Sequence, residues 1–137
     1  MKTVLEPRMD PDAHGSNLAA GEVTHTIIGA AFEVLNTLGH GLHEKPYENA
    51  LVVELGLREL WVDQQENYPI IYKGKEVGVF IPDLIVEGCV VVDTKTVDRI
   101  TDSERGQMMN YLRITGLKVG LILNFKNPKL QWDRVML

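Results

Sequence analysis

Two short, uninterrupted apolar runs bracket one helical segment, and they constrain this chain more than any other feature. The first, Gly88-Cys89-Val90-Val91-Val92, leads into Asp93-Thr94-Lys95; the second, Val119-Gly120-Leu121-Ile122-Leu123, leads into Asn124. Runs this short and apolar on both faces suit strands at the centre of a sheet covered on both sides. Between them, residues 101–115 place Met108, Tyr111 and Leu112 at helical spacing. Thr101 or Asp102 can cap this helix, Glu104 lies in its first turn and Gly116 stops it. A strand, a crossover helix and a second strand make a parallel pair, which predicts an α/β protein.

The rest of the pattern builds outward from that unit. Ile27, Ile28, Ala31, Val34, Leu35 and Leu38 predict an amphipathic helix over residues 18–38, stopped by Gly39 and Gly41. A second helix follows, with Pro46 suited to its first turn and the pattern running on toward Leu60. Tyr68–Tyr72 and Val77–Ile81 read as a hairpin around Lys73-Gly74-Lys75-Glu76, Leu84-Ile85-Val86 continues extended, and Cys89–Val92 is the third strand. A last strand is expected over Gln131–Met136. The order α-β-β-β-α-β implies one domain over residues 18–137, a mixed sheet flanked by helices. Residues 1–17 mix Pro, Asp, Gly, Ser and Asn without an apolar period and read as a flexible arm.

Composition narrows the classes. No apolar stretch approaches the roughly 18 residues of a membrane span and the start of the chain lacks a signal-like centre, so the expectation is a cytoplasmic protein without membrane contact. The single Cys89 permits no intrachain disulfide and reads as a buried, inert thiol. The net charge of −5 argues against a strongly basic nucleic-acid binder, but it is unevenly spread. Residues 1–93 hold 6 Lys/Arg against 15 Asp/Glu, whereas residues 94–137 hold 8 against 4, so phosphate contacts should come from the C-terminal third.

Chemistry concentrates at two places. Asp83 after Pro82, with Asp93 and Lys95 at the polar end of the third strand, puts two carboxylates and an amine on neighbouring strands. Asp93 and Lys95 share a face while Thr94 points away. Paired carboxylates suit a hard cation such as Mg²⁺ or Mn²⁺, which polarises a phosphodiester and activates water. On spacing alone, solvated strand-end charges are the commoner outcome. The second place is Gly41-Leu42-His43-Glu44-Lys45-Pro46-Tyr47-Glu48, where Glu44 offsets a helix dipole or adds a metal carboxylate, with Glu48 one turn on as a substitute. Tyr47 fits a core aromatic and a substrate contact equally.

Gly41, Glu44 and Tyr47, then Glu54-Leu55, Tyr72-Lys73-Gly74, Asp83-Leu84-Ile85-Val86, Asp93-Thr94-Lys95, Gln107, Asn110-Tyr111-Leu112 and Gly120 to Phe125 occur in one order. In this the chain resembles the GxxExxY proteins, a branch of the PD-(D/E)xK nuclease superfamily, from about residue 22 onward. The resemblance implies a restriction-endonuclease-like core in which Asp83 and Asp93 bind a metal, Lys95 assists the attacking water, Glu44 completes the site, and Gln107 and Tyr111 lie nearby. Asp93 stands where Glu is more usual, Leu35 and Glu104 where His is frequent, and Glu59 where Gly is frequent. Two function classes follow. One is a metal-dependent nuclease acting on DNA or RNA, with phosphates met by Arg99, Arg105, Arg113 and Lys126. The other is a catalytically inactive module that keeps the fold to bind nucleic acid or protein, as a homodimer joined through the last strand or the first helix.

Overall fold

The computed structural model describes residues 2–3 and 19–137; apart from Lys2 and Thr3, the N-terminal arm of the sequence reading lies outside the described residues. Two helices open the domain, α1 at Ala20–Leu38 and α2 at Glu44–Leu57. The chain leaves α1 through Gly39, whose N–H donates to the Leu35 carbonyl at 2.8 Å and whose φ of 78° then turns the backbone out of the helix. Helix α2 begins at Glu44 and has Pro46 in its first turn, as the sequence suggests, where an amide N–H has no helical partner to lose. The chain passes out of α2 at Glu59, held at φ 64°, the left-handed region that glycine adopts without cost.

The strands are β1 (Lys2–Thr3), β2 (Val62–Gln64), β3 (Tyr68–Tyr72), β4 (Lys75–Phe80), β5 (Leu84–Val86), β6 (Val90–Lys95), β7 (Val119–Asn124) and β8 (Gln131–Met136), with α3 (Asp102–Thr115) between β6 and β7. The main sheet runs β1-β2-β5-β6-β7-β8. Among the described strands of this sheet only β6 and β7 are parallel, from Val90 opposite Val119 to Lys95 opposite Asn124; the other pairs are antiparallel. This is the crossover expected from the two apolar runs, but β6 extends through Asp93 to Lys95 instead of ending at Val92.

The hairpin departs from the sequence reading. Its strands β3 and β4 form a separate two-stranded sheet instead of joining the mixed sheet, in which β5 is flanked by β2 and β6. The reason is burial. Strand β5 is buried along its whole length, while β3 and β4 leave Ile71, Tyr72, Val77 and Val79 exposed. A strand with one wet face can stand at the periphery; a strand apolar on both faces needs neighbours and helices around it. The turn is also tighter than expected, only Lys73 and Gly74, both with positive φ as a two-residue hairpin loop requires.

Side-chain alternation divides the core in two. Val90, Val92, Leu84, Val86, Leu121 and Leu123 pack with α1 and α2 on one face of the sheet. Val91, Ile85 and Ile122 pack with Met108 and Leu112 of α3 on the other. Gly120 lets α3 approach closely: a Cβ there would collide with the Met108 side chain. The helix is fixed at its start by a capping box, with Thr101 accepting from the Ser103 N–H and Glu104 accepting from the Thr101 N–H at 2.6 Å.

Candidate functional site

The polar end of β6 inherits the strand's two-residue alternation. Asp93 and Lys95 lie on the Val91 side, toward α3, and Thr94 on the opposite side. There they help line a cleft of about 190 Å³ with Asp83, Glu44, Phe80, Ile81, Pro82, Val91, Val92 and Tyr111. Three elements meet at it: the β4–β5 connection brings Asp83, the start of α2 brings Glu44, and α3 brings Tyr111. Phe80 stacks on Tyr111 with ring centroids 3.9 Å apart, so the hairpin walls one side of the cleft.

Each carboxylate is held differently. One oxygen of Asp83, Oδ2, accepts from the Thr94 N–H at 2.8 Å and from the Thr94 hydroxyl at 2.9 Å. Asp93 Oδ2 lies 3.2 Å from Lys95 Nζ, with the two side chains 16% and 19% exposed. Lys95 Nζ also donates to Gln107 Oε1 at 3.1 Å. Glu44, at the exposed rim, accepts from the Thr96 N–H at 3.2 Å. Burial, reinforced by the Asp83 charge and only partly offset by Lys95, pushes the Asp93 carboxyl up to about 7. Burial works against the Lys95 ammonium, but the neighbouring Asp93 outweighs it and holds its pKa above the ordinary value. The Tyr111 phenol is likewise raised, by burial first and then by Asp93.

This donor set suits a hard divalent cation. Two carboxylates and a lysine line one small cleft, where burial first and the Asp83 charge second disfavour the negative charge on Asp93 that a bound cation would offset. Among the described residues no three His, Cys, Asp or Glu side chains form a ready-made cluster. Mg²⁺ in general takes one or two carboxylates and fills its remaining positions with water and substrate phosphate. Asp83 and Asp93 would hold it, with Glu44 across the cleft.

Several residues named from sequence lie elsewhere. Tyr47 is not a cleft residue: it is fully buried, stacks on Phe125 at 4.6 Å, and its hydroxyl donates to the Gly39 carbonyl at 2.6 Å and accepts from the Leu42 N–H at 3.1 Å. Glu48 does not substitute for Glu44, because it is buried and bonded to Gln64 and Gln65. Arg105 is engaged by Asp102 and Asp133, and Arg113 borders Pro69 and Ile70 of the hairpin. Arg99 is exposed on the loop after β6, and Lys126 pairs with Asp98 at 2.8 Å. Asn124 is a buried clamp: its amide donates to the Val97 carbonyl at 2.8 Å and its carbonyl accepts from the Val97 N–H at 3.1 Å, closing the loop that carries Thr96. Sequence reasoning missed Thr94, Thr96 and Phe80. Thr94 stands between Asp93 and Lys95 in the sequence, but nothing local marks its bonds to Asp83, which comes from the β4–β5 connection.

A mixed sheet covered by helices on both faces, with paired carboxylates and a lysine at the end of a central strand, defines the restriction-endonuclease-like class of α/β domains. The chain belongs to the PD-(D/E)XK nuclease superfamily, whose family model matches residues 21–135. Among solved structures it is similar to the crystal structure of SSO0001, with a TM-score of 0.50 and 14% identity, over 92% of this chain and 60% of that one. This likeness concerns the fold. No curated protein is significantly similar to the chain. No helix among the described residues is long and apolar enough to cross a membrane.

Proposed function

We propose that this protein is a cytoplasmic, metal-dependent nuclease of the GxxExxY branch, hydrolysing phosphodiester bonds of DNA or RNA with Mg²⁺ or Mn²⁺. The observation that carries the reading is the convergence of Asp83, Asp93 and Lys95 on one cleft. When bound, the divalent ion would supply Lewis-acid polarisation of a phosphodiester. Asp83 and Asp93 would hold it, and Glu44 lines the same cleft. Lys95, steadied by Gln107, presents a fixed positive charge to the negative charge that grows on the phosphate. Tyr111 and Phe80 form a flat, water-excluding wall beside it. Arg99, exposed on the loop that follows Lys95, is the cation offered to the substrate backbone, Lys126 being paired with Asp98.

The decisive experiment is calorimetric titration of Mg²⁺ and Mn²⁺ into the parent protein and Asp83→Ala, followed by cleavage assays of both on mixed DNA and RNA substrates. The expected result is binding and metal-dependent cleavage by the parent alone. Equal cleavage by the variant would overturn the assignment. Metal binding without cleavage would favour the binding module over the enzyme.

A further inference from the structure

Glu48 connects two parts of the cleft that come from different elements. It lies one turn beyond Glu44 on α2, turned inward and 2% exposed. Its Oε2 accepts from Gln64 Nε2 at 2.8 Å and from Gln65 Nε2 at 3.0 Å, and its Oε1 meets Lys45 Nζ at 3.0 Å. The neighbouring Asn49 adds a second acceptor for Gln64 at 2.9 Å. Gln64 is the last residue of β2 and pairs with Leu84, the residue after Asp83. The Gln65 backbone N–H donates to the Asp83 carbonyl at 3.2 Å. One buried carboxylate therefore ties the helix that carries Glu44 to the turn that carries Asp83.

Apolar packing joins α2 to this edge of the sheet, but the attraction is non-directional and sets the offset less sharply than a hydrogen bond does. Hydrogen bonds to a charged acceptor are directional and strong in a buried setting, and they fix the offset between helix and strand. Burying a carboxylate is costly unless its oxygens are satisfied, and here both are. Asp83 is then anchored twice: its main chain through Gln65 from the β2 side, and its carboxylate through Thr94 from the β6 side.

We infer that Glu48 is a positioning residue that sets the separation of Glu44 and Asp83 across the cleft, acting through Gln64 and Gln65. The assignment rests on the reading of the cleft as a cation site, so its test has one arm that involves no cation. Amide hydrogen exchange and Mn²⁺ titration are measured on the full chain for the parent, Glu48→Ala, Gln65→Ala and Lys45→Ala. In Glu48→Ala, loss of these bonds lowers protection at the Gln65 and Thr94 amides about tenfold or more, while Leu121 and Leu123 in β7 keep theirs. Mn²⁺ affinity falls by about 10- to 100-fold, the usual effect of removing a residue that orients a metal ligand. Gln65→Ala, a change at an exposed side chain, moves both readouts in the same direction by less and keeps the test available should Glu48→Ala not fold. Lys45→Ala, which takes the partner from Glu48 Oε1 but keeps the bonds to Gln64 and Gln65, moves both readouts less than Glu48→Ala does. Unaltered Thr94 protection, or unaltered Mn²⁺ affinity, in folded Glu48 and Gln65 variants would overturn the inference. A parent that binds no Mn²⁺ sinks the cation reading alone, and the exchange data then decide the positioning role by themselves.

Discussion

Replacing Asp93 by Asn should make the metal-free protein more stable, and increasingly so as pH rises. The Asp93 carboxyl is raised from 3.8 to about 7, by burial first and then by Asp83, even though Lys95 at 3.2 Å pulls it down. A group that holds its proton more tightly when folded opposes folding once that proton must leave. The native state is therefore least burdened below pH 4, loses stability as pH climbs from about 4 to 7, and changes little from this source above that. At about 1.4 kcal/mol per pH unit, the full burden at pH 8 is on the order of 4 kcal/mol, and at pH 5 it is roughly 1–2 kcal/mol. Asn keeps the shape and removes the charge. Urea unfolding of parent and variant at pH 5 and pH 8, in chelator, should show the variant ahead at both and by about 2 kcal/mol more at the higher pH. Titrating groups away from the cleft cancel in the comparison, whereas Lys95 and Tyr111, which Asp93 holds up, titrate above this pH range. A variant equal to or weaker than the parent at pH 8 would refute the electrostatic account of the cleft, and with it the argument that a bound cation would offset the Asp93 charge.

Other consequences follow from packing and backbone. Gly120→Ala forces a methyl into the Met108 side chain between β7 and α3, and should cost about 1–3 kcal/mol in chemical denaturation. Glu59→Gly relieves a left-handed residue at the exit of α2 and should raise stability by roughly 0.5–1 kcal/mol, read as a higher melting temperature; a lower one would show that the Glu59 side chain outweighs its backbone strain. Asn124→Ala removes both bonds to Val97 inside a buried site, and should cost about 2–3 kcal/mol while raising hydrogen exchange in residues 96–100.

What the sequence determined is what depends on local period. Two apolar runs around a capped helix were enough for the parallel β6–β7 pair, because a strand without a polar face has few places to go. The same two-residue period put Asp93 and Lys95 on one face and Thr94 on the other. Glu59, noted as standing where glycine is frequent, lies where the backbone is left-handed. Tertiary structure decided the rest, because it depends on which surfaces meet. Tyr47 and Glu48 are neighbours on α2 with no local sign of their fates; the packing of the helix on the sheet sends Tyr47 into the core against Phe125 and commits Glu48 to Gln64 and Gln65. Strand pairing works the same way. The hairpin reads as sheet from its alternation, yet its exclusion from the main sheet and the entry of Val62–Gln64 follow from competition for the buried edge of β5. Periodicity fixes which way a side chain points, and only the assembled fold fixes what it points at.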